Sequence, residues 1–176
     1  MMTLLVFMAA AMTKDRQTCR IPNLLLAAGA VNGYILRFFG EGWTGMADAA
    51  VGTWIPLILC GWLFALSMLG AGDIKLLMTA GIYLGTSQIV RVCLEAFMIG
   101  AGLSLVRLVS FHQVSERVDY FMNYLCQAVK GRWQPYVDMS IPDQGKPWLI
   151  HFSVPILLAV VFEILFMSNR NWLLIF

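Results

Sequence analysis

Charge is scarce in this chain: only 12% of its 176 residues are Asp, Glu, Lys or Arg, the formal net charge is +2, and no basic run occurs. That balance lacks the electrostatic footprint of a nucleic-acid partner, and none is expected. Histidine is scarcer still, since His112 and His151 stand on separate segments without the spacing of a metalloprotease helix. The four cysteines, Cys19, Cys60, Cys93 and Cys126, are isolated from one another on different segments. Neither a zinc site nor a disulfide framework follows from these positions, and no metal is expected. A Gly-x-Ser-x-Gly elbow is absent too, so a serine nucleophile of that kind has no support.

What the chain has in abundance is apolar sequence, with 60% hydrophobic residues. Such a composition reads as an all-α, polytopic membrane protein, a single domain over 1–176 with the lipid bilayer as its surroundings. At roughly 20 residues per crossing, the length accommodates about six transmembrane helices with short connections.

The first apolar stretch, Met1 to Met12, reaches only about 18 Å as a helix and is a short span, extended past Met12 or met by local thinning of the bilayer. No Lys or Arg precedes it, which argues against a signal peptide. A second segment runs from Ile21-Pro22-Asn23 to about Phe39, with Pro22 suited to a first helical turn. A third, Ala47 to Leu69, contains Pro56 as a kink, and a shorter fourth covers Lys75 to Leu84. After the turn signal at Gly85-Thr86-Ser87-Gln88, a fifth span covers Ile89 to Val109, with Gly100 and Ser104 on a packing face. The sixth begins near Trp148 and runs to about Met167, with Pro155 in its interior.

Residues 111–147 form the only sizeable polar region. Val114, Val118, Phe121, Leu125 and Val129 recur at helical spacing, which predicts an amphipathic helix on the cytoplasmic membrane surface. The same pattern also fits a helix that merely covers the core.

Within this apolar chain, Gly70-Ala71-Gly72-Asp73 places a carboxylate at the end of a span, and an acid at such depth is a functional candidate. The positive-inside rule gives it a side of the membrane. With six crossings, Lys14, Arg16, Arg20, Lys75, Arg107, Arg117, Lys130, Arg132 and Lys146 fall on one face, and only Arg37, Arg91 and Arg170 on the other. The first face is therefore cytoplasmic. Asp15, after the first span, and Asp73, after the third, share it. Two carboxylates that meet there cannot both ionise easily and titrate as a pair. Asp15 also sits between Lys14 and Arg16, so an ordinary solvated acid is the competing reading.

Asp15 followed by Ile21-Pro22-Asn23, together with Gly70-Ala71-Gly72-Asp73-Ile74-Lys75, resembles the paired signatures of the prepilin peptidases, bacterial members of the GxGD membrane aspartic proteases. The resemblance implies an aspartic endopeptidase that removes leader peptides from prepilin or pseudopilin precursors at the cytoplasmic face of the inner membrane. Asp15 and Asp73 would form its catalytic dyad, and Ile21, Pro22, Asn23, Gly70, Gly72 and Lys75 would shape the site. Lys75 reads equally as support for the dyad or as an interfacial anchor. No cofactor is implied, and pilus or secretion assembly components are the expected partners.

Larger relatives carry a cysteine-paired cytoplasmic region associated with N-methylation; no Cys-x-x-Cys pair occurs here, so methyltransferase activity is not expected. The chain looks like the short peptidases of tight-adherence pilus systems. His151 stands where many relatives have proline at the start of the last span. Glu95 and Glu163, each inside a span, keep a proton-conducting carrier open as a second class, and a non-catalytic subunit of a secretion assembly as a third.

Overall fold

The computed structural model describes residues 2–18, 21–65, 69–110 and 152–173, with side chains defined as far as 106 in the fourth helix and 166 in the fifth. The described residues form five helices: α1 (Met2–Thr18), α2 (Asn23–Ala65), α3 (Ala71–Leu84), α4 (Thr86–Ser110) and α5 (Ser153–Leu173). The surface helix expected within 111–147 lies outside the described residues.

The second and third expected segments appear as one element because a single residue turns the chain. Gly42, at φ 65° and ψ −145°, breaks α2 into arms 23–41 and 43–65. Glycine adopts this conformation without the Cβ penalty other residues meet. The arms run antiparallel: Tyr34 and Thr53 hydroxyls lie 3.0 Å apart, and Arg37 Nη2 donates to Asp48 Oδ2 at 3.0 Å. Pro56 does not break the second arm, since Gly42 is the only non-helical position within α2. The carbonyl four residues before Pro56 is that of Gly52, which cannot receive a helical bond from proline. Gly81 of α3 packs against this same carbonyl, and a Cβ on either glycine would strike the other backbone.

Gly85, at φ 80°, is the whole break between α3 and α4. Helix begins again at Thr86, whose backbone N–H donates to Asp48 Oδ1 at 3.1 Å, so a carboxylate from α2 caps α4. Leu4, Met8, Leu76, Leu77, Ile82, Ile89 and Ile156 are fully buried among the helices. Leu24, Phe39, Trp43 and Ile58 of α2 are instead largely exposed. A bundle apolar outside as well as inside suits a lipid surround, where close backbone approach through glycine contributes more to packing than expulsion of water. Two helices, Asn23–Ala65 and Thr86–Val106, are long and apolar enough to cross a membrane, and Ser153–Phe166 is a shorter apolar helix.

α1 continues past Met12 to Thr18, in line with an extended first span, and the correction is that Asp15 lies on the helix itself and not after it. α5 begins at Ser153, not near Trp148, which places Pro155 in the first turn, where a missing N–H costs nothing. Gly100 of α4 does lie on a packing face, against Phe152 and Pro155, whereas Ser104 is exposed. Cys60 and Cys93, distant in sequence, come together across α2 and α4 as buried free thiols.

Candidate active site

The end of α1 and the beginnings of α2, α3 and α5 converge, and each brings one part of the site. Asp15, in the last turn of α1, is buried. Asp73 is the third residue of α3, half-buried, and outside the candidate spans. The two acids are close enough for the charge of Asp15 to act on Asp73. Burial chiefly, and the Asp15 carboxylate next, push Asp73 up to about 7, while a hydrogen bond from the Gly70 backbone N–H works in the opposite direction.

The glycine motif has a separate reason at each glycine. Gly70 precedes α3 in an extended conformation, φ −72° and ψ 144°. Its carbonyl accepts from the N–H groups of Asp73 at 3.1 Å and Ile74 at 3.3 Å. A Cβ at Gly70 would stand 3.1 Å from Asp73 Oδ2, so a side chain there crowds the carboxylate. A Cβ at Gly72 would meet nothing nearer than Ile21 at 3.7 Å, an ordinary contact. A Cβ is therefore accepted at 72, whereas at 70 it crowds the Asp73 carboxylate, which would have to give by a few tenths of an ångström.

That contact joins the glycine motif to Ile21, which is buried against it. A second link lies two residues on, where Lys75 Nζ donates to Asn23 Oδ1 at 2.9 Å. Lys75 thus braces one motif against the other at an exposed position. Pro22 stands just ahead of α2, its carbonyl accepting from Leu25 N at 3.1 Å and Leu26 N at 3.3 Å. From Asn23 and Lys75 an open, mainly apolar groove of about 290 Å³ runs between α2 and α3 along Leu26, Ala30, Met78 and Ile82. Neither aspartate lines it.

One residue at the site escaped sequence reasoning. Ser153 Oγ donates to Asp15 Oδ2 at 2.5 Å across 138 positions of sequence, and Ser153 is fully buried. A lone serine in an apolar run carries no spacing signal that ties it to Asp15.

Glu163 is engaged elsewhere: its Oε1 accepts from Arg91 Nε at 2.9 Å and Nη2 at 2.5 Å. Glu95 lies within electrostatic reach of that pair. His151 lies outside the described residues. Among the described residues no group of three or more His, Cys, Asp or Glu side chains is arranged to hold a metal.

Two carboxyl groups in mutual reach at a helix-end junction can divide acid and base work between them. The model of the type IV leader peptidase family matches residues 2–105, a range that contains both acidic motifs and ends before Ser153. No curated protein and no solved structure matches. The chain belongs to the type IV leader peptidase family.

Proposed function

We propose that this member of the type IV leader peptidase family is a membrane-embedded aspartic endopeptidase that cuts leader peptides from pilin-like precursors, with Asp15 and Asp73 as its dyad. The carrying observation is that the Asp15 carboxylate on α1 acts electrostatically on Asp73 of α3, beside a glycine motif that leaves Asp73 room. Water held between them loses a proton to the ionised carboxylate as its oxygen bonds to the scissile carbonyl carbon. The protonated carboxyl delivers its proton to the carbonyl oxygen. In the collapse the C–N bond breaks, the leaving nitrogen takes a proton from the first carboxyl, and the diol returns one to the second. No group outside the chain, the peptide and water enters this cycle.

The site faces the cytoplasm in this reading, because the basic residues gather on the side where Asp15 and Asp73 lie. The six crossings are α1, the two arms of α2, α3 from Lys75 onward, α4 and α5, with Asp73 at the membrane surface. Fourteen residues of α3 reach only about 21 Å, less than a hydrocarbon core of about 30 Å, so the bilayer thins locally around the site. Ile21, Pro22 and Asn23 set the entry of α2, and Lys75 holds Asn23; the peptide lies across these residues. Prepilin or pseudopilin precursors are the substrates, and pilus or secretion assembly components the partners. The carrier alternative draws on Glu95 and Glu163, yet Arg91 already neutralises Glu163 through two hydrogen bonds.

The full chain, purified in lipid nanodiscs and incubated with pilin-like precursors of the same genome, is expected to release leader and mature products identified by mass. Proton flux into liposomes with precursors left intact would favour the carrier.

A further inference from the structure

We propose that Ser153 is a positioning residue that keeps Asp15 the ionised, water-activating member of the dyad and leaves Asp73 to carry the proton. This inference rests on the dyad reading above.

The contact between Ser153 Oγ and Asp15 Oδ2, 2.5 Å, lies in the range of hydroxyl bonds to an ionised carboxylate. A donor to the charged form favours that form, and full burial of Ser153 removes competition from water. Ser153 is also the first residue of α5, so the positive end of the helix lies beside the same carboxylate. Asp15 itself sits near the end of α1, where the backbone dipole opposes a negative charge, and the Ser153 hydroxyl supports it from another helix.

The serine's place is set one residue earlier. Phe152 fills the space over Gly100, where a Cβ would stand 2.9 Å from its ring, and lies 5.3 Å from the Phe97 ring centre. Its carbonyl accepts the first bond of α5, from Ile156 N at 3.2 Å. α4 thereby fixes the start of α5, and α5 fixes the hydroxyl. The elevated pKa of Asp73 agrees with this division.

Charged groups face the pair from several helices. From α3 the groups are Asp73 and Lys75, the latter engaged with Asn23. On α1 they are Lys14 and Arg16, adjacent in sequence to Asp15 and exposed. Along α5 the next is Glu163, about 15 Å further and paired with Arg91 of α4. Arg37, Glu41 and Asp48 of α2 cluster at the opposite end of the bundle. His151 precedes the serine by two residues and needs a control of its own.

The test compares kcat/KM against pH for wild type, Ser153→Thr, Ser153→Ala and Ser153→Cys in the full chain, each checked for cooperative thermal unfolding. Alanine and cysteine remove the strong donor, and both are expected to move the acid limb to higher pH. They are also expected to lower kcat about 10- to 100-fold with little change in KM. Threonine keeps the hydroxyl and is expected to restore the wild-type limb. An acid limb that stays in place in a folded Ser153→Ala or Ser153→Cys protein overturns the proposal, and the near-isosteric cysteine decides if alanine does not fold. The shift is expected to persist in a His151→Gln background; its disappearance there would assign the limb to the imidazole and likewise overturn the proposal. If Asp15→Asn still cleaves, the dyad itself is wrong, whereas an inert Asp15→Asn beside an unshifted Ser153→Ala removes only the role given to Ser153.

Discussion

Lys75 Nζ donates to Asn23 Oδ1 at 2.9 Å, and that bond ties the residue following the glycine motif to the residue that opens α2. With Gly72 against Ile21 at 3.7 Å, it makes the two sequence motifs one physical unit. Lys75→Met and Asn23→Ala should each lower kcat/KM, and the double variant should be no worse than the weaker single. A coupling of about 0.5 kcal/mol is expected, since the bond is exposed to solvent. A double-mutant cycle on precursor cleavage measures it; strictly additive losses contradict the link.

The pH dependence of the site follows from Asp73, pushed up to about 7 by burial first and by Asp15 second. Its proton is lost above that value, so cleavage should fall on an alkaline limb near pH 7. The sign for stability is the same. Between the ordinary carboxyl value of 3.8 and about 7 the folded state holds a proton that the unfolded state has released, so this group favours folding below pH 4 and progressively less as pH rises. Asp73→Asn should therefore flatten the decline of thermal stability between pH 4 and 8. In Asp15→Asn the Asp73 titration, followed by infrared spectroscopy, should fall yet stay above 3.8, because burial is the larger cause.

The glycines of α3 divide into tolerant and intolerant positions. Gly72→Ala should fold with stability unchanged or raised by up to about 1 kcal/mol, since its methyl group meets only ordinary contacts and alanine is the better helix former. Gly81→Ala should fail to fold or unfold at a far lower temperature, because its Cβ strikes the Gly52 carbonyl. Thermal melts of both variants in one lipid system make the comparison.

Arg91 and Glu163 should respond unequally to substitution. Glu163 is 1% exposed on its side chain, whereas Arg91 is 44% exposed. Arg91→Met leaves a carboxylate buried without its partner and should cost about 3–5 kcal/mol. Glu163→Gln leaves a guanidinium that can turn outward, and should cost less. Replacing both with leucine should recover much of the loss in an unfolding assay.

Much of this arrangement is legible from residues alone because it rests on local signals. The acidic motifs, the apolar segments between them and the glycine turns each have a composition that betrays them. Segment ends are less legible: α1 runs through Lys14, Asp15 and Arg16 because charged side chains at a helix end keep helical propensity after the apolar pattern stops. The start of α5 depends on Phe152 seating over Gly100, a tertiary contact, and Trp148 with Pro155 suggests a different boundary from sequence. Long-range pairs leave no periodic trace. Cys60 with Cys93 and Ser153 with Asp15 are visible only once helices are packed.

The most direct test of the central claim is precursor cleavage by folded Asp15→Asn and Asp73→Asn proteins, each compared with wild type in the same nanodisc preparation and read by product mass. Loss of a general acid or base should lower the rate at least about 100-fold in each. Full cleavage by either variant would contradict the dyad.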